Sequence, residues 1–450
     1  MNDTLFSQMP TLQSMRSQLA IRTRGDKFIW GIVILLALIS VLVVYSATSS
    51  LAYKTNKGNH EVYLFKQLAF MLIGLVVIYF LHRFNYTMFS RLASIFFLTA
   101  IPLLVYTLFF GRSVNDGSRW VKVPIINLTI QTSDYARLAL FMYISRVMSK
   151  KQEVIKDFKK GFLPVITPVA IICILIMPAN LSTALLTGAT SLLLMFIGRV
   201  SIKHLLLVVL VASIPLGILV SAAVLTHKKA KDNEVVAPPP TEERSKGLMV
   251  RAATWIKRVQ DFIYAKNDDV PFQVQQSNIA ISNGGILVGL GPGNSRQRNF
   301  LPHCDSDFIF AIIIEEYGLL GGAFIMFIYL VFLFRGIRTF RKCPYAFGAF
   351  LAMALSFTLV IQALANMAVS VNIVPVTGVT LPLVSMGGSS FLFTCMSIGI
   401  ILSVARNVEV MEGKIEPESV LQPPVNDNQQ VGEENAINKP QAAMAGGVPF

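Results

Sequence analysis

Four carboxylates crowd one short stretch of an otherwise apolar sequence: Asp305 and Asp307 stand directly before the run Phe308 to Ile314, and Glu315 and Glu316 come immediately after it. Ionisable groups at membrane depth are costly and need an explanation. Asp307 admits two readings that do not exclude each other, a helix N-cap and a general base whose pKa is lifted toward the working pH by low-dielectric surroundings. Glu315 and Glu316 read as buried hydrogen-bonding or ion-pairing partners. Just upstream, Gly289-Leu-Gly291-Pro-Gly293-Asn294-Ser295 permits backbone conformations closed to other residues and lets amides approach an anion. It matches neither the dinucleotide fingerprint nor a phosphate-binding loop with its lysine, so no nucleotide is expected. Asp134 and Arg137, three residues apart on one helix face, can pair with each other. In Gly111 to Pro124, the basic residues Arg112, Arg119 and Lys122 mark either a solvated loop or an anion site.

Membrane-spanning helices must position these groups. Of 450 residues 54% are hydrophobic and only 14% charged, whereas roughly a quarter are charged in soluble domains. The apolar residues gather into runs of the length that crosses a hydrocarbon core. These predict spans near 28–48, 63–81, 90–110, 132–148, 162–177, 181–198, 203–225, 307–334, 346–369 and 385–405. The expected fold is an all-α polytopic integral membrane protein of about ten transmembrane helices, with a large extracytoplasmic loop, 226–306, between the seventh and eighth. No cleavable signal is expected, because Met1 to Lys27 is long and polar, so the first span stays. The net charge of +14 raises the question of nucleic acid, but the basic residues lie mostly between spans. They recur after every second span, as the positive-inside rule requires of cytoplasmic loops. Residues 1–27 are then a cytoplasmic segment, 28–406 the transmembrane domain, and 407–450 a disordered cytoplasmic tail without apolar periodicity. The four cysteines, Cys173, Cys304, Cys343 and Cys395, lack metal-ligand spacing.

Within the long loop, Lys228 to Lys246 reads as a flexible insert leading into an amphipathic helix, Leu248 to Tyr264. Its apolar face would hold Met249, Ala252, Ala253, Ile256, Val259, Phe262 and Ile263, and turn Arg251, Lys257 and Arg258 toward water or head groups. The last external loop, Asn372 to Ser390, is rich in Gly, Pro and Ser and reads as a re-entrant, cavity-lining segment. No inverted repeat of broken helices stands out, which disfavours a transporter of that construction.

On these segments the chain resembles the shape, elongation, division and sporulation family of membrane glycosyltransferases, over about residues 28–406. The resemblance is carried by Gln273-Val-Gln-Gln276-Ser277, Ala280-Ile281, Gly284-Gly285 and Gly291-Pro-Gly293-Asn294-Ser295. It continues through Leu301-Pro302, Ser306-Asp307-Phe308-Ile309-Phe310-Ala311 and Glu315-Glu316-Tyr-Gly318. The stretch Gly378-Val-Thr380-Leu381-Pro382-Leu383 is similar to the division branch of that family. Four departures stand out. Gln131-Thr-Ser-Asp134 replaces a usual Gln-Pro-Ser-Glu, and Arg137 a common Lys. Pro178-Ala-Asn180-Leu-Ser182-Thr183 replaces Pro-Asp-Leu-Gly-Thr, with a carboxylate lost at Asn180, and Met386 replaces a Tyr.

The resemblance implies polymerisation of lipid II into glycan strands at the outer face of the inner (cytoplasmic) membrane, at the division septum, with Asp307 as catalytic base. It implies substrate contacts from Gln273, Gln276, Ser277, Gly293, Asn294, Ser295 and Ser389. Positive charge for the departing diphosphate would come from Arg251, Arg258, Arg119, Lys122 or Arg137, with a divalent cation, Mg or Mn, as candidate cofactor. The implied partners are a class B penicillin-binding protein, other division proteins and membrane lipid. A lipid II flippase and a non-catalytic scaffold remain as competing readings.

Overall fold

In lipid every backbone polar group must be bonded within the protein, so long apolar runs have little choice but to become helices. The computed structural model describes residues 25–55, 61–114, 117–122, 129–233, 248–264 and 270–413. Helices lie over all ten predicted spans: α1 Lys27–Thr55, α2 Glu61–Arg83, α3 Tyr86–Phe110, α4 Thr132–Lys150, α5 Leu163–Ile176, α6 Leu181–Ile197, α7 Ile202–Asn233, α10 Ile309–Lys342, α11 Ala346–Ser370 and α12 Ser389–Met411. Two more, α8 Leu248–Tyr264 and α9 Phe272–Gly284, lie in the long connection between α7 and α10. Eight of the ten are long and apolar enough to cross a membrane, α5 being counted with the helical turn Phe158–Phe162 that leads into it. The exceptions are α6, with 17 residues, and α4, which carries Asp134, Arg137, Arg146 and Lys150.

Several local expectations change. Residues 111–124 are not simply a loop: β1 Arg112–Val114, β2 Gly117–Lys122 and β3 Thr129–Gln131 form a small antiparallel sheet in the order β1-β2-β3, with Trp120 opposite Gln131. Helix α7 continues through Asn233, so the first residues of the expected flexible insert are helical. The rest of that insert, residues 1–24 and the tail from 414 lie outside the described residues. Residues 385–388 precede α12 rather than opening its span. The described residues up to Val408 gather into one compact unit, and 409–413 belong to a second.

Helix α11 is the post of the bundle. It packs on α10, α4 and α6, and 83% of its apolar window is buried against 6% for α7. Polar side chains on α11 therefore meet protein, whereas α7 presents itself mainly to lipid. Close packing relies on small residues. A Cβ added at Gly336 of α10 would lie 2.4 Å from Ser356 Oγ of α11. At one end of the bundle Arg335 Nε donates to Asp26 Oδ2 at 2.6 Å, with the guanidinium 4.5 Å from the Phe28 ring, a cation–π contact added to the charge pair. Arg406 Nη1 donates to the Arg83 carbonyl at 2.9 Å, serving the free carbonyls at the end of α2.

Helix α10 is interrupted at Gly318, whose φ of 72° and ψ of 178° are not helical. Residues 319–342 alone cover about 36 Å at about 1.5 Å per residue, enough for a hydrocarbon core of about 30 Å. The segment before the break, Ile309–Tyr317, thus lies toward one membrane boundary, and its Ile309 to Glu316 are all buried in protein. A Cβ at position 318 would also stand 3.2 Å from the backbone of Leu287 and Gly289. Gly318→Ala should destabilise the protein by about 1–3 kcal/mol, the range for a residue forced into a sparsely populated backbone region. Chemical denaturation of the purified protein in detergent measures this, and an unchanged midpoint would show that the break is not rigidly set.

Candidate active site

An interrupted helix exposes backbone donors on one side of the break and acceptors on the other. Here the loop 285–291 takes four of them. Leu319 and Leu320 amides donate to the Gly285 and Ile286 carbonyls at 3.1 and 3.3 Å, and Glu315 and Glu316 carbonyls accept from the Leu290 and Gly291 amides at 2.9 and 3.0 Å. The two glutamate side chains then fix the next stretch of chain, up to residue 298. Glu315 accepts from the Ser295 hydroxyl, from the Arg296 and Gln297 amides at 3.2 Å each, and from Asn283 Nδ2 at 3.2 Å. Glu316 accepts from the Ser46 hydroxyl of α1 and from the Ser295 amide at 3.4 Å. Arg298 closes the arrangement, donating to Gly293 O at 2.8 Å and Ser46 Oγ at 3.3 Å. The glycine-rich loop is therefore a clasp around a helix break, with Gly293 and Asn294 exposed at its tip and Ser295 buried.

From the clasp the chain enters the turn that carries the aspartates. Asp307 is not the N-cap of α10: that position belongs to Phe308, which makes no side-chain cap. Instead the turn is held through its carbonyls. Met386 N donates to Asp305 O at 2.9 Å, Ser385 Oγ to Ser306 O at 2.6 Å, and Asn366 Nδ2 of α11 to Asp307 O at 2.8 Å. The same Asn366 nitrogen reaches Val379 O at 2.7 Å, and Gln362, one turn earlier, donates to Thr380 O at 2.9 Å. Asn366 thus joins the aspartate turn to the breaker-rich segment before α12. Among the described residues four non-glycines have positive φ, and three belong here: His303 at 57°, Asn372 at 58° and Leu383 at 63°. Such strain concentrates at functional sites.

The breaker-rich segment before α12 also walls a cavity of about 380 Å³ between α6, α7, α8 and α11. Its polar lining includes Asn180, Arg251, Arg258 and Thr377; its apolar lining includes Leu185, Leu219 and Trp255. Arg251 and Arg258 do not turn outward as the amphipathic pattern predicts. Both are half-buried, Arg251 donating to the Pro178 carbonyl and Arg258 Nη1 to Val376 O at 3.2 Å, while Ala253, Phe262 and Ile263 of the expected buried face are exposed. Lys257 remains exposed. Asn180 is the N-cap of α6, its Oδ1 accepting from Thr183 N at 3.3 Å. That leaves Asn180 Nδ2 and Thr377 Oγ1 buried with no hydrogen-bond partner among the described residues. Two orphaned polar atoms beside two guanidiniums describe a place for an oxygen-rich anion.

The other residues singled out in the sequence fall elsewhere. Ser277 donates to Ser370 O at 2.8 Å and Ser389 accepts from the Gln131 amide at 3.0 Å. Both, like Ser295, are buried, so these hydroxyls hold the scaffold rather than reach a ligand. Arg137 pairs with Asp134 at 3.2 Å inside the bundle, beside a cavity of about 10 Å³. That space is at the lower limit for one water, so Arg137 cannot take the diphosphate contact considered for it. Gln273 lines a smaller cavity of about 170 Å³ with Arg258 and Asp261, and Gln276 is half-buried on α9. Arg119 and Lys122 lie on β2, their side chains outside the described residues. Sequence reasoning missed Asn366, Gln362, Ser385, Ser46 and Arg298. Asn366 and Gln362 carried a signal, as polar residues within an apolar run; Ser46 and Arg298 carried none.

Burial pushes the Asp305 carboxyl above the ordinary carboxylate range, opposed by its own amide and by His303 and Lys66. A raised folded-state pKa means stability that is present below the ordinary value of about 3.9 and lost as pH rises through the folded value. Asp305→Asn removes that loss. The thermal midpoint of the wild type should therefore fall relative to Asp305→Asn as pH rises from about 3.9 toward neutrality, and a gap independent of pH would overturn the assignment.

Comparison with known proteins covers the same stretch of chain. Residues 26–410 match the profile of the FtsW/RodA/SpoVE cell cycle proteins. The chain is 32% identical over 393 residues to stage V sporulation protein E of Bacillus subtilis, covering 86% of this chain and 98% of that one. It is 29% identical over 384 residues to a probable peptidoglycan glycosyltransferase FtsW of Trichlorobacter lovleyi, covering 84% and 92%. Its fold is shared with a chain from a peptidoglycan synthase complex, at TM-score 0.62 and 22% identity over 85% of this chain and 98% of that one. The rod shape determining protein RodA of Thermus thermophilus gives 0.56 and 21% over 85% and 97%. With a match over residues 26–410, a range that spans the clasp and the aspartate turn, this chain belongs to the FtsW/RodA/SpoVE family of cell cycle membrane proteins.

Proposed function

We propose that the chain is a peptidoglycan glycosyltransferase that polymerises lipid II into glycan strands at the outer face of the cytoplasmic membrane during division. One observation carries the reading: Asn366 ties the aspartate turn to the segment that lines the anion-ready cavity, since its amide bonds the backbone carbonyls of Asp307 and of Val379, two residues from Thr377 of that lining. In the reaction Asp307 takes the proton from the 4-hydroxyl of an acceptor GlcNAc as that oxygen attacks the anomeric carbon of the donor MurNAc, and undecaprenyl diphosphate departs. General-base assistance of this kind is worth about a hundred- to ten-thousandfold. Arg251, Arg258, Asn180 Nδ2 and Thr377 Oγ1 receive the diphosphate, and the leucines of α6 and α7 meet the start of the prenyl chain. A donor that keeps its tail in lipid needs a cavity between membrane helices, which a soluble domain cannot offer.

Among the described residues no three His, Cys, Asp or Glu side chains cluster closely enough to hold a metal ion. A Mg or Mn ion would therefore have to arrive on the diphosphate with at most a carboxylate or two from the protein, and no step above passes through one. The orientation is supported by the basic end of the bundle, where Lys150, Lys151, Lys203, Arg341 and Lys342 gather. Under that orientation both termini belong to the cytoplasmic side and the aspartate turn to the outer one. The partner is a class B penicillin-binding protein that crosslinks the strands, at the septum. A flippase would need a path past Asp134 and Arg137, which sit in the closed interior of the bundle.

The test supplies labelled lipid II to the purified protein with its transpeptidase partner. Asp307→Asn, equally folded, should lose at least about a hundredfold in polymer formation. Arg251→Ala should instead weaken lipid II binding by about tenfold or more, the loss of one hydrogen bond to a charged group, with less effect at saturation. Polymer from Asp307→Asn at the wild-type rate, or translocation of lipid II without polymer from wild type, would overturn the proposal.

A further inference from the structure

The fourth non-glycine residue with positive φ is Arg199, at 63°, and it stands apart from the aspartate turn and its cavity. It comes after α6 in a Schellman turn: Val200 N donates to Met195 O and Arg199 N to Phe196 O, both at 3.1 Å. The left-handed position of that turn customarily belongs to glycine. An arginine there is disfavoured by the backbone, so the turn itself does not call for this side chain. That side chain lines a cavity of about 500 Å³ at the basic end of the bundle, with Lys156, Glu153 and Gln152 from the connection after α4, Phe340 of α10 and Phe350 of α11. Arg199, Lys156 and Glu153 are all exposed. Two cations, one carboxylate and one amide above two aromatic rings make an amphiphilic lining, and the volume falls within the range of small-molecule sites.

We propose that this cavity binds the head group of an anionic phospholipid that carries hydroxyls, of the phosphatidylglycerol kind. The phosphodiester lies between Arg199 and Lys156, the head-group hydroxyls donate to Glu153 and Gln152 Oε1, and the glycerol and upper acyl chain rest on Phe340 and Phe350. Basic pockets between helix ends suit such lipids. Glu153 disfavours a more highly charged anion and gives the hydroxyls an acceptor. The site lies at the opposite end of α10 and α11 from Asp307 and rests only on the chain being a membrane protein, not on the glycosyl-transfer reading.

The experiment titrates the purified full-length protein, held in zwitterionic detergent micelles, with short-chain phosphatidylglycerol and reads bound lipid by native mass spectrometry. Wild type should hold one phosphatidylglycerol in preference to phosphatidylcholine. Arg199→Gly and Lys156→Gln should each weaken that binding by about fivefold, the contribution of one basic residue near an anionic head group. Lys27→Gln, which removes a charge beside the Asp26–Arg335 pair, should leave it unchanged. Arg199→Gly should also unfold at or above the wild-type temperature without lipid, because glycine relieves the left-handed strain, so its lost binding is not misfolding. Equal binding by wild type and Arg199→Gly, or an equal loss in Lys27→Gln, would overturn the proposal. So would displacement of the lipid by millimolar inorganic phosphate, which would make this a free-anion site.

Discussion

A helix interrupted among buried side chains leaves amides and carbonyls with no water to take them, and everything around the Asp307 turn depends on how that is resolved at Gly318. Residues 285–291 bond four backbone groups beside the break, the carbonyls of Glu315 and Glu316 and the amides of Leu319 and Leu320. At about 1–3 kcal/mol for each group left unsatisfied, the interruption would consume much of a typical stability of about 5–15 kcal/mol. The loop is thus as necessary to the break as the break is to the loop. Glu315 and Glu316 tighten the arrangement, because their carboxylates accept the Ser295, Arg296 and Gln297 amides and the Ser46 and Ser295 hydroxyls. Fixing 290–298 in turn fixes where the chain re-enters at Leu301 and where the aspartates stand.

The second support is α11, whose burial lets it carry polar side chains at depth. Asn366 and Gln362 would be costly facing lipid, but within protein they bond carbonyls of segments that have no regular structure of their own. This permits residues 372–388 to remain non-helical beside a cavity, the one setting in which irregular backbone is tolerated at membrane depth. The left-handed conformations of His303, Asn372 and Leu383 persist because those surroundings over-determine them.

The departures from the family pattern are intelligible in the same terms. Met386 contributes its backbone amide to Asp305 O, a bond indifferent to the side chain. Asn180 keeps the capping function of an aspartate, since both cap helices well, while exchanging a negative oxygen for an NH₂ that faces the Arg251 cavity. Asp134 and Arg137 retain opposite charge and pair within the bundle. Buried in this way, the pair adds little net stability but is costly to break, because either partner left alone would be an uncompensated charge.

Fold class, the ten helical segments and the exact extent of α8 were legible in the sequence, because hydropathy and helical periodicity are summed over neighbours along the chain. The aspartate turn and the glycine-rich loop were legible as unusual residues in an apolar context. What the sequence could not indicate was which of these groups meet. Ser46 and Glu316 are separated by 270 positions, Ser385 and Ser306 by 79, and most of the decisive bonds run from a side chain to a backbone carbonyl. A carbonyl is present at every residue and leaves no mark in composition or spacing. The orientation of Arg251 and Arg258 escapes the sequence for a related reason: a helical wheel separates apolar from polar faces, but only the packed neighbours decide whether the polar face meets water or a polar cavity. The amino-acid sequence by itself determined a helical membrane protein with a carboxylate-rich turn; the tertiary structure alone decided that Asp307 hangs from Asn366 and that two arginines face inward, because long-range backbone acceptors become specific only once the chain has folded.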